Sequence, residues 1–434
     1  MFAPKVLSVL KNSNIGHLPK ALVCMNARHS VGNLDGKRFY SSDTTPKDIC
    51  SGFMDTTMYD IMPTAKAAVD PLKRNFMIKE DEITPDMLFS NEKREQFMSY
   101  FPEIVQQLEE RASTLDDIEN GRHVREFLEY IIPGGTKYAG IVTVETYKML
   151  LPKEQHTPEN IKLGYYLGWC VEFLVEHVVL IDDLMDEGTI RRNKRCWYLL
   201  EKNHNGAPND GCILESGMYY FLRKNLGHLK CFPQLVQYLC EAGYSCYYGQ
   251  YIDKKYSNDP FNTSPKLYKT IVQNASTYIV SYVPVLLAMT LAGYTDIEKF
   301  NNAKSIMSQL GFYYLIENDY MDIFSDISLK KKDGRDAQTG RTRWPIVVFM
   351  ERANQEQKLR MKEHYGKDTV EDVAEVKKLM EEIHIHDIYH DYMAGLYYKL
   401  MQDIEENSYG ELKEVYLKLI NTMTCSLDAG GVFP

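Results

Sequence analysis

Two aspartate-rich stretches stand far apart in the chain. The first reads Asp182-Asp183-Leu184-Met185-Asp186 and follows the apolar run Val178-Val179-Leu180-Ile181. The second reads Asn318-Asp319-Tyr320-Met321-Asp322, with Asp326 beyond it, and follows Phe312-Tyr313-Tyr314-Leu315-Ile316. Residues four apart share a helix face, so Asp182 projects with Asp186, and Asn318 with Asp322 and Asp326. Carboxylates on apolar helices are costly unless something positive meets them. Two facing groups of hard oxygen ligands are what Mg²⁺ takes when it also holds substrate phosphates. The pair predicts a helical bundle that clamps a diphosphate between metal-loaded walls. One acidic stretch alone is usually a solvated face or a set of caps. A di-iron carboxylate bundle requires Glu-x-x-His pairs, and none flanks either cluster.

These clusters must be carried by long helices. Helical periodicity runs over about 94–112, 121–131, 160–187, 211–226, 232–253, 266–294, 297–326, 343–365, 369–405 and 408–423. Breakers separate them at Pro133-Gly134-Gly135, Leu151-Pro152, residues 203–209, Asn258-Asp259-Pro260 and Lys332-Asp333-Gly334. No alternating strand pattern and no repeat period occurs. The fold class is all-α, with both acidic clusters inside long helices. The uncharged stretch Thr270–Thr295 contains Gln273, Asn274, Ser276, Ser281 and Pro284. It predicts a buried, kinked helix and not a membrane span.

The 434 residues carry 44% hydrophobic side chains, ample for one large core spanning 55–430. A net charge of −10 argues against nucleic-acid binding. The N-terminal segment 1–42 is different. It holds Lys5, Lys11, Lys20, Arg28, Lys37 and Arg38 against Asp35 alone, with many Ser and Asn. That composition predicts a mitochondrial transit peptide, the alternative being a plain disordered tail on a cytoplasmic protein. Nine cysteines without a Cys-x-x-Cys spacing predict buried thiols.

Gly168-Trp169-Cys170-Val171-Glu172, Asp182-Asp183-x-x-Asp186, Arg191-Arg192 and Cys196-Trp197-Tyr198 resemble the first acidic region of farnesyl diphosphate synthases. Gly249-Gln250-x-x-Asp253, Tyr268-Lys269-Thr270, Asn318-Asp319-x-x-Asp322 and Lys332-x-Gly334-x-Asp336 follow in the order of that family. The resemblance implies a single large bundle of the isoprenoid (terpene) synthase type, most often a homodimer. It implies about three Mg²⁺ ions, replaceable by Mn²⁺, held by Asp182, Asp183, Asp186, Asn318, Asp319, Asp322 and Asp326. It implies diphosphate contacts from Arg191, Arg192, Gln250, Lys269, Lys332 and Arg341. Arg341 stands for a usual Lys.

Some positions depart from the family pattern. Chain-elongating members carry Gly-Gly-Lys-x-x-Arg for isopentenyl diphosphate, whereas this chain has Gly134-Gly135-Thr136-Lys137-Tyr138-Ala139. Lys137 comes one position late, which on a helix turns it by about 100°. His177 and Val178 replace two aromatics of the usual pocket floor, which deepens the pocket for a C15 substrate. A lone His on an apolar helix is otherwise a satisfied core residue. His384, His386 and His390 lie among acidic residues and are expected on an exposed face.

Together these departures predict a sesquiterpene synthase resembling the insect, stink-bug type. Such an enzyme ionises farnesyl diphosphate and closes it to a C15 product, with a bisabolane skeleton in pheromone biosynthesis preferred. A short-chain isoprenyl diphosphate synthase with a remodelled isopentenyl site is the alternative, and a non-catalytic subunit the third reading.

Overall fold

The computed structural model describes residues 88–115, 118–200, 206–257, 259–324 and 335–428. All of them belong to one compact unit, Lys47–Pro434. The segment 1–42, Asp326, Lys332, Gly334 and residues 429–434 lie outside the described residues.

The chain is all-α, as its periodicity predicts. Helix α1 covers Asn91–Met98, α2 Phe101–Ser113, α3 Ile118–Ile131 and α4 Tyr138–Leu150. Helix α5 (Pro158–Met185) begins where Thr157 caps the Asn160 N–H at 3.2 Å and Pro158 presets the first turn. It is the central rod. Its middle is buried on all sides, and it packs between α4 and α6 (Ala207–Leu226). Trp169 of α5 stacks on Phe97 at 4.6 Å, which joins α1 to the core.

Helix α7 (Phe232–Tyr256) and α8 (Pro265–Leu291) complete one side of the core. Helix α8 is buried as expected and carries a π-helical stretch, Gln273–Tyr282, that ends where Pro284 enters the following turn. Pro284 has no N–H to donate, and widening the preceding turns accommodates it. Helices α5 and α8 are long and apolar enough to cross a bilayer, yet their apolar windows are 89% and 72% buried inside the protein.

Helix α9 (Ile297–Phe324) packs against α8 and α13. The predicted 343–365 helix is two helices, α10 (Trp344–Arg352) and α11 (Gln355–His364), because Asn354 and Gln357 form a capping box between them. The predicted 369–405 helix is also divided, into α12 (Val370–Glu382) and α13 (Ile385–Asn407). His384 between them sits at φ 57°, a left-handed position that resets the helix phase. His384 and His390 are exposed, while His386 is half-buried, with Nδ1 2.5 Å from the Tyr320 hydroxyl. Helix α14 spans Gly410–Asp428.

Sequence periodicity misses one ribbon: β1 (Ile190–Arg191) pairs antiparallel with β2 (Lys194–Arg195). Arg192 and Asn193 take left-handed φ values of 53° and 61°. A two-residue hairpin of matching twist requires such values. The six described cysteines are free; Cys170, Cys196 and Cys246 are buried as expected, whereas Cys212 and Cys240 are exposed.

Candidate active site

Helix α5 ends in carboxylates. Asp182 and Asp183 occupy its last turn, Asp186 is its C-cap, and no basic residue lies in that turn. Helix α9 likewise ends shortly after Asp319 and Asp322 without a basic residue in its last turn. A helix C-terminus already carries partial negative charge, so acids there are unfavourable unless cations meet them. Both acidic ends line one cavity of about 250 Å³. Its mouth carries Asp182, Asp183, Asp186, Asp253, Asn318, Asp319, Asp322 and Asp336. Its floor is apolar, with Val175, Val178, Val179, Ile279, Val280 and Leu315. The shape suits a molecule with an anionic head and a hydrocarbon tail.

Arginines meet the acids. Arg191 donates from Nε at 2.8 Å and Nη2 at 2.5 Å to Asp183 Oδ1, and Nη2 lies 3.5 Å from Asp182 Oδ2. Burial pushes the Asp183 carboxyl up, and Arg191 opposes that. Arg341 is buried between Asp186 and Asp253, its Nη1 3.3 Å from Asp253 Oδ2. Burial and the neighbouring Arg343 push the Arg341 guanidinium down to about 10. Arg343 donates to Asp253 Oδ2 at 2.9 Å, and its Nε lies 3.1 Å from Asp336 Oδ2.

Asp319 Oδ2 accepts the Tyr268 hydroxyl at 2.7 Å and the Trp344 N–H at 3.0 Å. Burial pushes its carboxyl up to about 7, against the pull of Arg343. Asp322 Oδ2 accepts the Asp336 N–H at 3.0 Å, which ties the 335–343 loop to α9. Gln250 Nε2 lies 3.4 Å from both Val178 O and Asp182 Oδ1.

The donor set fits a hard divalent cation shared with phosphate. The lining offers carboxylate and amide oxygens and neither sulfur nor imidazole. Asp253 Oδ1 is buried with no hydrogen-bond partner among the described residues. No group of three His, Cys, Asp or Glu side chains among them is closed into a ready cage. Arginines hold the acids apart instead.

Other expected residues lie elsewhere. Lys269 is half-buried on α8, next to Tyr268, and is not part of the cavity wall. Val178 lines the floor, but His177 faces away from it. Its Nδ1 is 2.7 Å from Gly211 O and its ring meets Tyr247 edge-on, as for a satisfied core histidine.

A second cationic centre lies behind the hairpin. Lys137 is not in helical phase with Thr136 and Ala139. It precedes α4 at φ 60°, so the expected 100° rotation does not apply. Its buried ammonium lies 2.5 Å from Glu176 Oε1 and 3.8 Å from Glu172 Oε2. Arg192 Nη1 is 2.9 Å from both Glu176 oxygens and also donates to Ile131 O at 2.9 Å. Lys137 and Arg192 hold the Glu176 carboxyl below its usual range despite burial. Gly134 and Gly135 are needed here, because a Cβ would stand 2.5 Å from Arg192 Cδ and 2.7 Å from its Nε, respectively. Arg94 donates to Gly135 O and Pro133 O at 2.9 and 3.0 Å and fixes the turn.

Sequence reasoning passed over Arg343 and Glu176. The available signal was Glu172 and Glu176, four apart on an apolar helix, a like-charge pair that demands cations.

Residues 122–383 match the family model described as polyprenyl synthetase. A farnesyl pyrophosphate synthase of Murgantia histrionica is 31% identical over 342 residues, covering 79% of this chain and 84% of that protein. One of Gallus gallus is 31% identical over 331 residues, covering 75% and 90%. A T. brucei farnesyl diphosphate synthase complexed with a bisphosphonate aligns with a TM-score of 0.72 at 22% identity. It covers 76% of this chain and 99% of that one, and it shows the shared all-α isoprenoid synthase fold. These relatives overturn the expectation of a cyclising sesquiterpene synthase drawn from Thr136, Ala139, His177 and Val178. That expectation took two cationic contacts as lost at Thr136 and Ala139 and kept Arg192, whereas Lys137 also lines the small cavity beside Arg192. By the family match and by identity over three quarters of its length, the chain belongs to the polyprenyl synthetase family.

Proposed function

We propose that the chain is a prenyltransferase, a short-chain isoprenyl diphosphate synthase. The observation that carries this reading is the convergence of two acidic helix C-termini on one cavity with an apolar floor. Asp182, Asp186, Asn318 and Asp322 would hold Mg²⁺, which supplies charge stabilisation to a departing diphosphate, while Asp319 faces Arg343. Asp326, Lys332 and Lys269 join the proposal from the family pattern.

The protein's own groups account for the rest. Arg191 anchors the end of α5, and Gln250 holds Asp182 toward the cavity. Val175, Val178 and Val179 exclude water from the hydrocarbon chain. Breaking the allylic C–O bond sends the electron pair to diphosphate. The double bond of the homoallylic partner then attacks the allylic carbon, a C–C bond forms, and a proton passes from the partner to the released diphosphate. Lys137 and Arg192 are the cations for the second diphosphate, with Glu176 as its internal competitor.

Exposed Tyr244, Tyr248 and Tyr251 form a stripe on α7 and support a homodimer, the association proposed for this chain. The test of function is incubation with Mg²⁺, isopentenyl diphosphate and dimethylallyl or geranyl diphosphate, with mass analysis of the diphosphates formed. A lengthened prenyl diphosphate is the expected product. Its absence at every metal and substrate concentration refutes the proposal.

A further inference from the structure

Arg343 stands just before α10, inside the acidic wall. Its side chain is 17% exposed and faces carboxylates from three segments. Nη1 is 2.9 Å from Asp253 Oδ2 on α7, and Nε is 3.1 Å from Asp336 Oδ2 on the loop. Nε is also 3.7 Å from Asp319 Oδ1 on α9. Asp319 keeps its other oxygen for Tyr268 and Trp344, so Oδ1 is the one turned to the guanidinium. The same side chain lines the cavity shared by Asp182, Asp186 and Asn318.

Three carboxylates around one cation is the arrangement a hard divalent ion takes, at roughly 2.0–2.1 Å from each oxygen for Mg²⁺. Here the Asp253 and Asp336 oxygens stand at hydrogen-bond distance from a guanidinium, with Asp319 Oδ1 at 3.7 Å. An arginine is a permanent cation of fixed geometry, suited to carboxylate and phosphate alike. Its charge lies on the acidic wall that also carries the neutral Asn318.

We propose that Arg343 acts as a built-in cation on the α9 wall, occupying the place of one divalent ion and presenting its guanidinium to the diphosphate. The first-motif wall, where Arg341 meets Asp186 and Arg191 reaches Asp182 only at 3.5 Å, offers its carboxylates to metal. The proposal rests on the reading above that the cavity takes a metal–diphosphate complex. It makes Arg343 a specificity residue for the metal complement of the site.

The test counts Mn²⁺ by electron paramagnetic resonance, with inorganic diphosphate as the anion, on the full chain. Arg343→Ala should bind one more Mn²⁺ per protomer than the unaltered protein, as Asp253, Asp319 and Asp336 lose the guanidinium and turn to the metal. Equal, non-zero stoichiometries overturn the proposal and leave the proposed function standing. No Mn²⁺ on either protein overturns both. Removing Arg343 brings three acids together without their shared cation, which destabilises the metal-free variant; Arg343→Gln, which keeps polar contacts without charge, is the second variant. Recovery of helical circular dichroism by Mn²⁺ in either variant supports the assignment. Loss of fold in both that Mn²⁺ does not reverse overturns it.

Discussion

Glu176→Gln tests how the second cationic centre works. The side chain is 2% exposed, and its partners Lys137 and Arg192 are 0% and 12% exposed, so solvent screens none of these contacts strongly. The substitution keeps the shape and removes the charge. Lys137 is left with Glu172 at 3.8 Å, and Arg192 with Ile131 O. Uncoupling a buried ion pair costs about 3–5 kcal/mol. Spread over roughly 340 folded residues at about 2.1 cal/mol/K each, this lowers Tm by about 4–7 °C.

The released cations should then favour an anion. Each charge-assisted hydrogen bond is worth about 1.5–3 kcal/mol, so one extra contact lowers KM for isopentenyl diphosphate by about tenfold or more. The assays are melting curves with and without inorganic diphosphate, and steady-state kinetics at a saturating allylic co-substrate. KM should fall, kcat should change little, and diphosphate should recover most of the lost Tm. An unchanged KM together with a melting curve indifferent to diphosphate would show that Glu176 does not compete with substrate at this centre.

Asp182→Ala should abolish turnover while leaving helical circular dichroism nearly intact, because that side chain is 42% exposed and makes only long contacts; full activity would refute its metal role. Asn318→Asp should be tolerated and Asn318→Ala strongly impaired, since an amide oxygen can donate to Mg²⁺ and a methyl cannot; equal activities would exclude ligation. Asp319, with its carboxyl pushed up to about 7, binds a proton more tightly folded than unfolded. Its contribution is fully present below the unfolded pKa near 3.8 and is lost as pH rises through about 7. Metal-free stability should therefore decline between these limits, and Asp319→Asn should flatten the decline in a pH series of thermal melts.

The acidic walls were legible because few structural roles suit carboxylates at the end of an apolar helix. Ile181 leads directly into Asp182, and Ile316 into the second cluster, and each junction conflicts with the helix dipole. The long rods α5 and α9 were legible for the same reason that their middles are buried. Their apolar residues continue around the whole helix.

The cations were less legible because a single basic residue has no period. Arg343 stands 90 residues from Asp253, and only the fold shows that they meet. Lys137 is the more instructive failure. A shift of one position in a motif changes direction by a known angle only inside a regular helix. The left-handed backbone at Lys137 ends that regularity and returns the ammonium to Glu176, beside Arg192. That local error, with Thr136, Ala139, His177 and Val178, carried the functional expectation away from chain elongation. Where a motif spans a helix start, residue identity alone does not establish which charges a site has lost.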